Sequence, residues 1–126
     1  MNFGENAGKI WETLNEKGPL TKDRLMEITM LDESEFHTGL GWLARENKIC
    51  KGRDGNYRLD NTNLTIEVGK NAGRVFKVMD IWGEVDVTTL RKLVDVDEEE
   101  VYSALGWLAK ENKICADNKL ERFELK

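Results

Sequence analysis

The sequence predicts an α+β fold, mostly helical, in which one small domain is written twice. Three observations predict it. The segment Gly41-Trp42-Leu43-Ala44-Arg45-Glu46-Asn47-Lys48-Ile49-Cys50 returns 65 residues later as Gly106 to Cys115, with only Arg45/Lys110 changed. Each copy carries three amphipathic helical stretches. Each then ends in two short alternating strands, joined in the first copy by a glycine turn.

The repeat extends beyond that segment. At the same offset Asn6-Ala7-Gly8 matches Asn71-Ala72-Gly73, Gly18 matches Gly83, and Asp32-Glu33 matches Asp97-Glu98. Near the end the register slips by one, so Tyr57 and Leu59 answer to Phe123 and Leu125. The slip predicts a loop of variable length before the last strand. The period exceeds that of most solenoid repeats. It divides the chain into domains at 1–62 and 63–126. A unit of about 60 residues is near the lower limit for folding alone, so the halves are expected to dock on each other or on a partner. The link Asp60-Asn61-Thr62-Asn63 spans at most about 14 Å, which keeps them neighbours.

Helix 1 is expected from about Ala7 to Lys17, with Asn6 as N-cap and Gly18 as stop. Ala7, Ile10, Trp11 and Leu14 form its apolar stripe. Asn71, Ala72, Val75, Phe76 and Met79 repeat it. Helix 2 opens at Thr21 or Asp86, both capping residues. Leu25 and Ile28, or Leu90 and Leu93, face inward. A turn follows at Thr29-Met30-Leu31 or Val94-Asp95-Val96. Helix 3 begins at Asp32 with Glu35, and at Asp97 with Glu100, the spacing of a capping box. Phe36, Leu40 and Leu43 (Val101, Leu105 and Leu108) form its buried stripe. Asn47 and Asn112 then sit where a left-handed residue ends a helix. Lys48 to Lys51 and Asn56 to Leu59 read as a β-hairpin around Gly52-Arg53-Asp54-Gly55. The second copy has Lys113 to Ala116, a weaker turn at Asp117-Asn118-Lys119, and Leu120 to Leu125. Phe3, and likewise Ile66 and Val68, are candidates for a short strand before helix 1.

Three helices followed by a hairpin form the winged helix-turn-helix plan. The stretch from Ala104 to Ile114, and its twin from Gly39 to Ile49, looks like the end of a recognition helix entering a wing. From Gly4-Glu5-Asn6-Ala7-Gly8 onward, each repeat resembles a small uncharacterised prokaryotic winged helix-turn-helix family, a domain of unknown function. The resemblance covers nearly the whole chain, twice. It implies the fold, and DNA binding only weakly.

Composition narrows the function. The chain is 40% hydrophobic and 34% charged with a net charge of −5. No apolar run approaches the roughly 20 residues of a membrane span, and the N-terminus lacks a signal-peptide pattern. A cytoplasmic protein without membrane contact is expected. Residues 1–63 carry 9 basic against 11 acidic side chains, and residues 64–126 carry 10 against 13. Neither half has the basic excess of a nucleic-acid-binding domain. Cys50 and Cys115 are equivalent and read as small buried residues at a strand start; a disulfide between them requires the repeats to face each other there.

No catalytic, metal or cofactor site is expected. His37 is the one histidine, faces Tyr102 in the alignment, and reads as a surface residue. No cysteine or histidine spacing suits a metal, and Gly39-x-Gly41 lacks the context of a dinucleotide site.

Double-stranded DNA is one candidate partner. The first turn of a recognition helix approaches the bases, and here it reads Glu33-Ser34-Glu35 and Glu98-Glu99-Glu100, acids that better serve the helix dipole. The basic residues lie along the helix end and hairpin of the first repeat, Arg45, Lys48, Lys51, Arg53 and Arg58, and read either as a DNA-contacting wing or as a solvated charged hairpin that protects its edge strands. In the second, Lys110, Lys113, Lys119 and Arg122 are interrupted by Asp117, Glu121 and Glu124. Trp42 and Trp107 fall off the buried stripe, each preceded by an in-helix glycine, Gly41 or Gly106. Glycine there costs about 1 kcal/mol relative to alanine, and close approach of another backbone is one reason to keep it. Either a wing covers each tryptophan within its own domain, or the Gly-Trp pairs mark a contact with the other repeat or a partner. Two functions follow: a DNA-binding or transcription-associated regulator, or a protein-interaction module, self-association included, that does not bind DNA.

Overall fold

The computed structural model describes residues 2–116 and 122–126. The first repeat contains α1 (Phe3–Lys17), β1 (Leu20–Thr21), α2 (Lys22–Thr29), α3 (Glu33–Arg45), β2 (Ile49–Lys51) and β3 (Asn56–Leu59). The second repeats this order as α4 (Lys70–Trp82), β4 (Val85–Asp86), α5 (Val87–Val94), α6 (Glu98–Lys110), β5 (Ile114–Ala116) and β6 (Arg122–Leu125). A π-helical turn, Thr65–Gly69, leads into α4. Each repeat has an antiparallel three-stranded sheet, in the order β1-β3-β2 and β4-β6-β5.

The sheets keep the repeat in register. Leu20 pairs with Tyr57 as Val85 pairs with Phe123, and Ile49 pairs with Leu59 as Ile114 pairs with Leu125. The one-residue slip is therefore absorbed between the wing strands. The second turn, Asp117-Asn118-Lys119, lies outside the described residues.

The third strand of each sheet precedes helix 2. Phe3 lies inside α1, and Ile66 and Val68 lie in the π-helical turn, so the strand expected before helix 1 is not there. Helix 1 also starts four residues early, because Asn2 caps it by accepting from the Glu5 amide at 3.1 Å. Asn6 is buried instead, and its Nδ2 donates to Thr38 Oγ1 on α3 at 3.2 Å. Gly18 and Gly83 end their helices at φ 78° and 77°. Met30, Asn47, Asp95 and Asn112 all have φ near 60°, so both helix 2 and helix 3 end in left-handed residues.

Burial follows the expected stripes, with departures at Trp11, Leu93 and the two cysteines. Trp11 is 37% exposed and Leu93 43%, whereas Val94 is buried. Leu90 and Val94, four apart, share the inner face of α5 that Leu93 was expected to occupy. Cys50 is half-buried and Cys115 exposed, both as free thiols. Side chains alternate along a strand, so Ile49 and Ile114 take the core side and the cysteines face away.

The two cores interlock. Phe3 packs in the cluster of the second repeat, with Val75, Leu105 and Phe123. Its equivalent Val68 packs in the first, with Ile10, Phe36 and Leu40. Each repeat thus lends one residue from the start of its first helical segment to the other's core.

Candidate interaction surface between the repeats

Helices α3 and α6 face each other across the centre of the molecule. Gly41 lies against Ser103 of α6, and Gly106 lies against Thr38 of α3. A Cβ at Gly41 would overlap the Ser103 carbonyl oxygen and sit 2.7 Å from its carbonyl carbon. A Cβ at Gly106 would meet Thr38 in the same way, 2.8 Å from its carbonyl carbon. The helix backbones touch at these two points, with room for Cα hydrogens alone. Such contacts bring Cα–H groups against carbonyl oxygens.

Trp42 and Trp107 flank the crossing. Each is half-buried and packs against both cores. Gly4 leaves room for the Trp42 ring and Gly69 for the Trp107 ring, where a Cβ would approach to 3.2 Å in both cases. The ring faces receive cations from the opposite repeat: Lys110 Nζ lies 5.3 Å from the Trp42 centroid, and the Arg45 guanidinium lies 5.5 Å from Trp107. Those cations also pair across the interface, Arg45 with Glu111 at 3.3 Å and Lys110 with Glu46 at 3.7 Å. Partly exposed pairs contribute about 0–1 kcal/mol each, so apolar burial and backbone fit carry most of this contact.

The basic residues of the first wing are placed unevenly. Arg45 belongs to the interface, and Lys48 pairs with Glu46 at 3.5 Å. Arg58 pairs with Asp54 at 3.6 Å and folds over Gly52. Lys51 is exposed, with its ammonium 5.7 Å from the Tyr57 ring centroid. Arg53 is exposed at the turn and makes no ion pair among the described residues.

Sequence reasoning missed a polar cluster at one edge of the interface. His37 is buried, against the expectation of a surface residue, because α6 covers this face of α3. Its Nε2 lies 3.4 Å from Glu33 Oε2 and 3.8 Å from Glu99 Oε2, yet makes no hydrogen bond. Lys22 Nζ bridges the same two carboxylates, at 2.8 Å from Glu33 Oε2 and 3.1 Å from Glu99 Oε1. Burial, then the Lys22 charge, push the His37 imidazole below its ordinary value, against the pull of Glu99 and Glu33. Burial disfavours the Lys22 charge, but Glu33 and Glu99 outweigh it and hold Lys22 above its usual range. Lys22 in turn keeps Glu33 below its own. Glu33 and His37 are four apart on α3, but Glu99 comes from α6 in the other repeat, a proximity that linear spacing cannot show.

Repeated three-helix units with a three-stranded antiparallel sheet and a hairpin wing define a tandem winged helix-turn-helix protein. The winged helix-turn-helix domain family DUF2582 matches residues 1–59 and again 60–126, and the chain belongs to that family. No curated protein and no solved structure matches the chain. Among the described residues, no helix is long and apolar enough to cross a membrane.

Proposed function

We propose that this chain is a non-enzymatic protein-interaction module in which the two recognition helices bind each other instead of a DNA groove. The observation that carries the reading is the backbone contact of Gly41 with Ser103 and of Gly106 with Thr38. A groove-reading helix must present one free face to base edges. Here α3 is buried from Phe36 to Gly41 and α6 from Val101 to Gly106. The exposed first turns carry Glu33, Glu98 and Glu99, which repel phosphates. The net charge of −5 supports the same reading. Partners then meet the outer surface, where the repeats have diverged. Ile81 and Trp82, 81% and 59% exposed, stand where the first repeat has Glu16 and Lys17.

A second reading rests on Lys51 and Arg53, the exposed cations of the first wing. It makes the chain a regulator that contacts duplex DNA through that wing alone. Titration of the protein with mixed-sequence duplex at low and moderate salt separates the two. The interaction-module reading predicts no saturable binding at low salt. Weak binding that falls with salt and is lost in Lys51→Glu/Arg53→Glu would support the wing reading. Tight, sequence-selective binding would overturn the first reading, because it requires a helix in the groove.

A further inference from the structure

We propose that Glu33, His37 and Glu99 form a binding site for one divalent transition-metal ion of the zinc class, shared between the two repeats. Their donor atoms all lie within 4.8 Å of one another. Zinc holds imidazole and carboxylate donors at about 2.0–2.2 Å, which sets tetrahedral neighbours roughly 3.3–3.6 Å apart. The Nε2 to Glu33 distance of 3.4 Å lies in that range, and the 3.8 Å to Glu99 needs a few tenths of movement.

The histidine is the telling member. Its side chain is 7% exposed and Nε2 is aimed at the carboxylates without a hydrogen bond. A buried ring nitrogen left so is costly, and a metal satisfies it. Burial favours the neutral imidazole that metals bind. One nitrogen and two carboxylates suit zinc, cobalt or nickel better than magnesium or calcium, which prefer oxygen alone. The adjoining cleft of about 550 Å³ is lined by Glu33, His37, Asp97, Glu98, Glu99 and Tyr102. It gives access for the ion and for a water as fourth ligand, and its acids draw cations in.

Lys22 now supplies the positive charge at this place. Its ammonium bridges the two carboxylates, so a divalent ion must displace it to bind them. The pseudo-equivalent positions are Ser34, Val87, Glu98 and Tyr102, which lack the histidine and one carboxylate. One site per chain follows.

The test is calorimetric titration of the full chain with zinc, in a Cys50→Ser/Cys115→Ser background so that thiols cannot contribute. Cobalt absorption serves as a second readout and magnesium as a control. The expected result is saturable zinc uptake with a stoichiometry of one, cobalt bands without thiolate charge transfer, and no magnesium uptake. Lys22→Met should bind more tightly, since the competing charge is gone. Glu99→Gln and His37→Gln should each weaken binding at least about tenfold. Glu99 is 55% exposed, so its variant keeps the fold even if the His37 variant does not. No uptake by either the parent or Lys22→Met, or unchanged affinity in Glu99→Gln, overturns the site and leaves an ion-pair cluster.

Discussion

At Gly41 and Gly106 a single added methyl group decides whether the helices can meet. Gly41→Ala and Gly106→Ala force backbone against backbone, where no rotamer can yield. Each should destabilise the protein by about 1–3 kcal/mol or more, as overpacking does, read as a fall in the urea midpoint. Gly8→Ala and Gly73→Ala are the controls, because open space surrounds both positions. They should stabilise their helices by up to about 1 kcal/mol. His37 allows a second prediction at this scale. Glu33, Glu99 and Lys22 face it, and Asp97, Glu98 and Tyr102 line the same cleft. Its folded pKa lies below the ordinary value of 6.5, so the unfolded chain takes up the proton first. Stability, measured with a chelator present, should fall as pH drops below about 6.5 towards the folded value. In His37→Gln that slope should vanish. A slope that survives would assign it to another group.

The paired helices carry equivalent sequences with different caps. In α3, Asp32 accepts from the Glu35 amide at 2.8 Å and Glu35 accepts from the Asp32 amide at 3.1 Å, which completes the capping box. In α6, Asp97 makes no such side-chain bond. Glu100 instead accepts from Asn71 Nδ2 at 3.2 Å, so the second capping box expected from the sequence is absent. Asp32→Ala should therefore cost about 0.5–2 kcal/mol by chemical denaturation, and Asp97→Ala clearly less. Equal losses would mean that the Asp97 carboxylate caps in solution. The helix stripes and wing strands were legible because apolar periodicity is local. The third strand was not: Leu20-Thr21 and Val85-Asp86 are two-residue strands defined by their pairing with β3 and β6. Nor was the burial of His37, which depends on α6 from the other half of the chain.

Across the whole molecule, the exchange of Phe3 and Val68 makes each repeat complete the other's core. An isolated first repeat, residues 1–62, would lose Val68 and expose the Gly41 face. It should be unfolded or dimeric at concentrations where the full chain is monomeric by sedimentation, and a stable monomer would contradict the interlocking. The duplication and its period were plain from the sequence, but which surfaces the copies share depended on contacts between residues far apart in the chain. The central claim is the face-to-face contact of α3 and α6, and nuclear Overhauser spectroscopy tests it most directly. Cross-peaks are expected from the Gly41 Hα protons to Ser103 and from the Gly106 Hα protons to Thr38. Their absence, in spectra that show the contact of Phe36 with Tyr57 inside the first repeat, would contradict it.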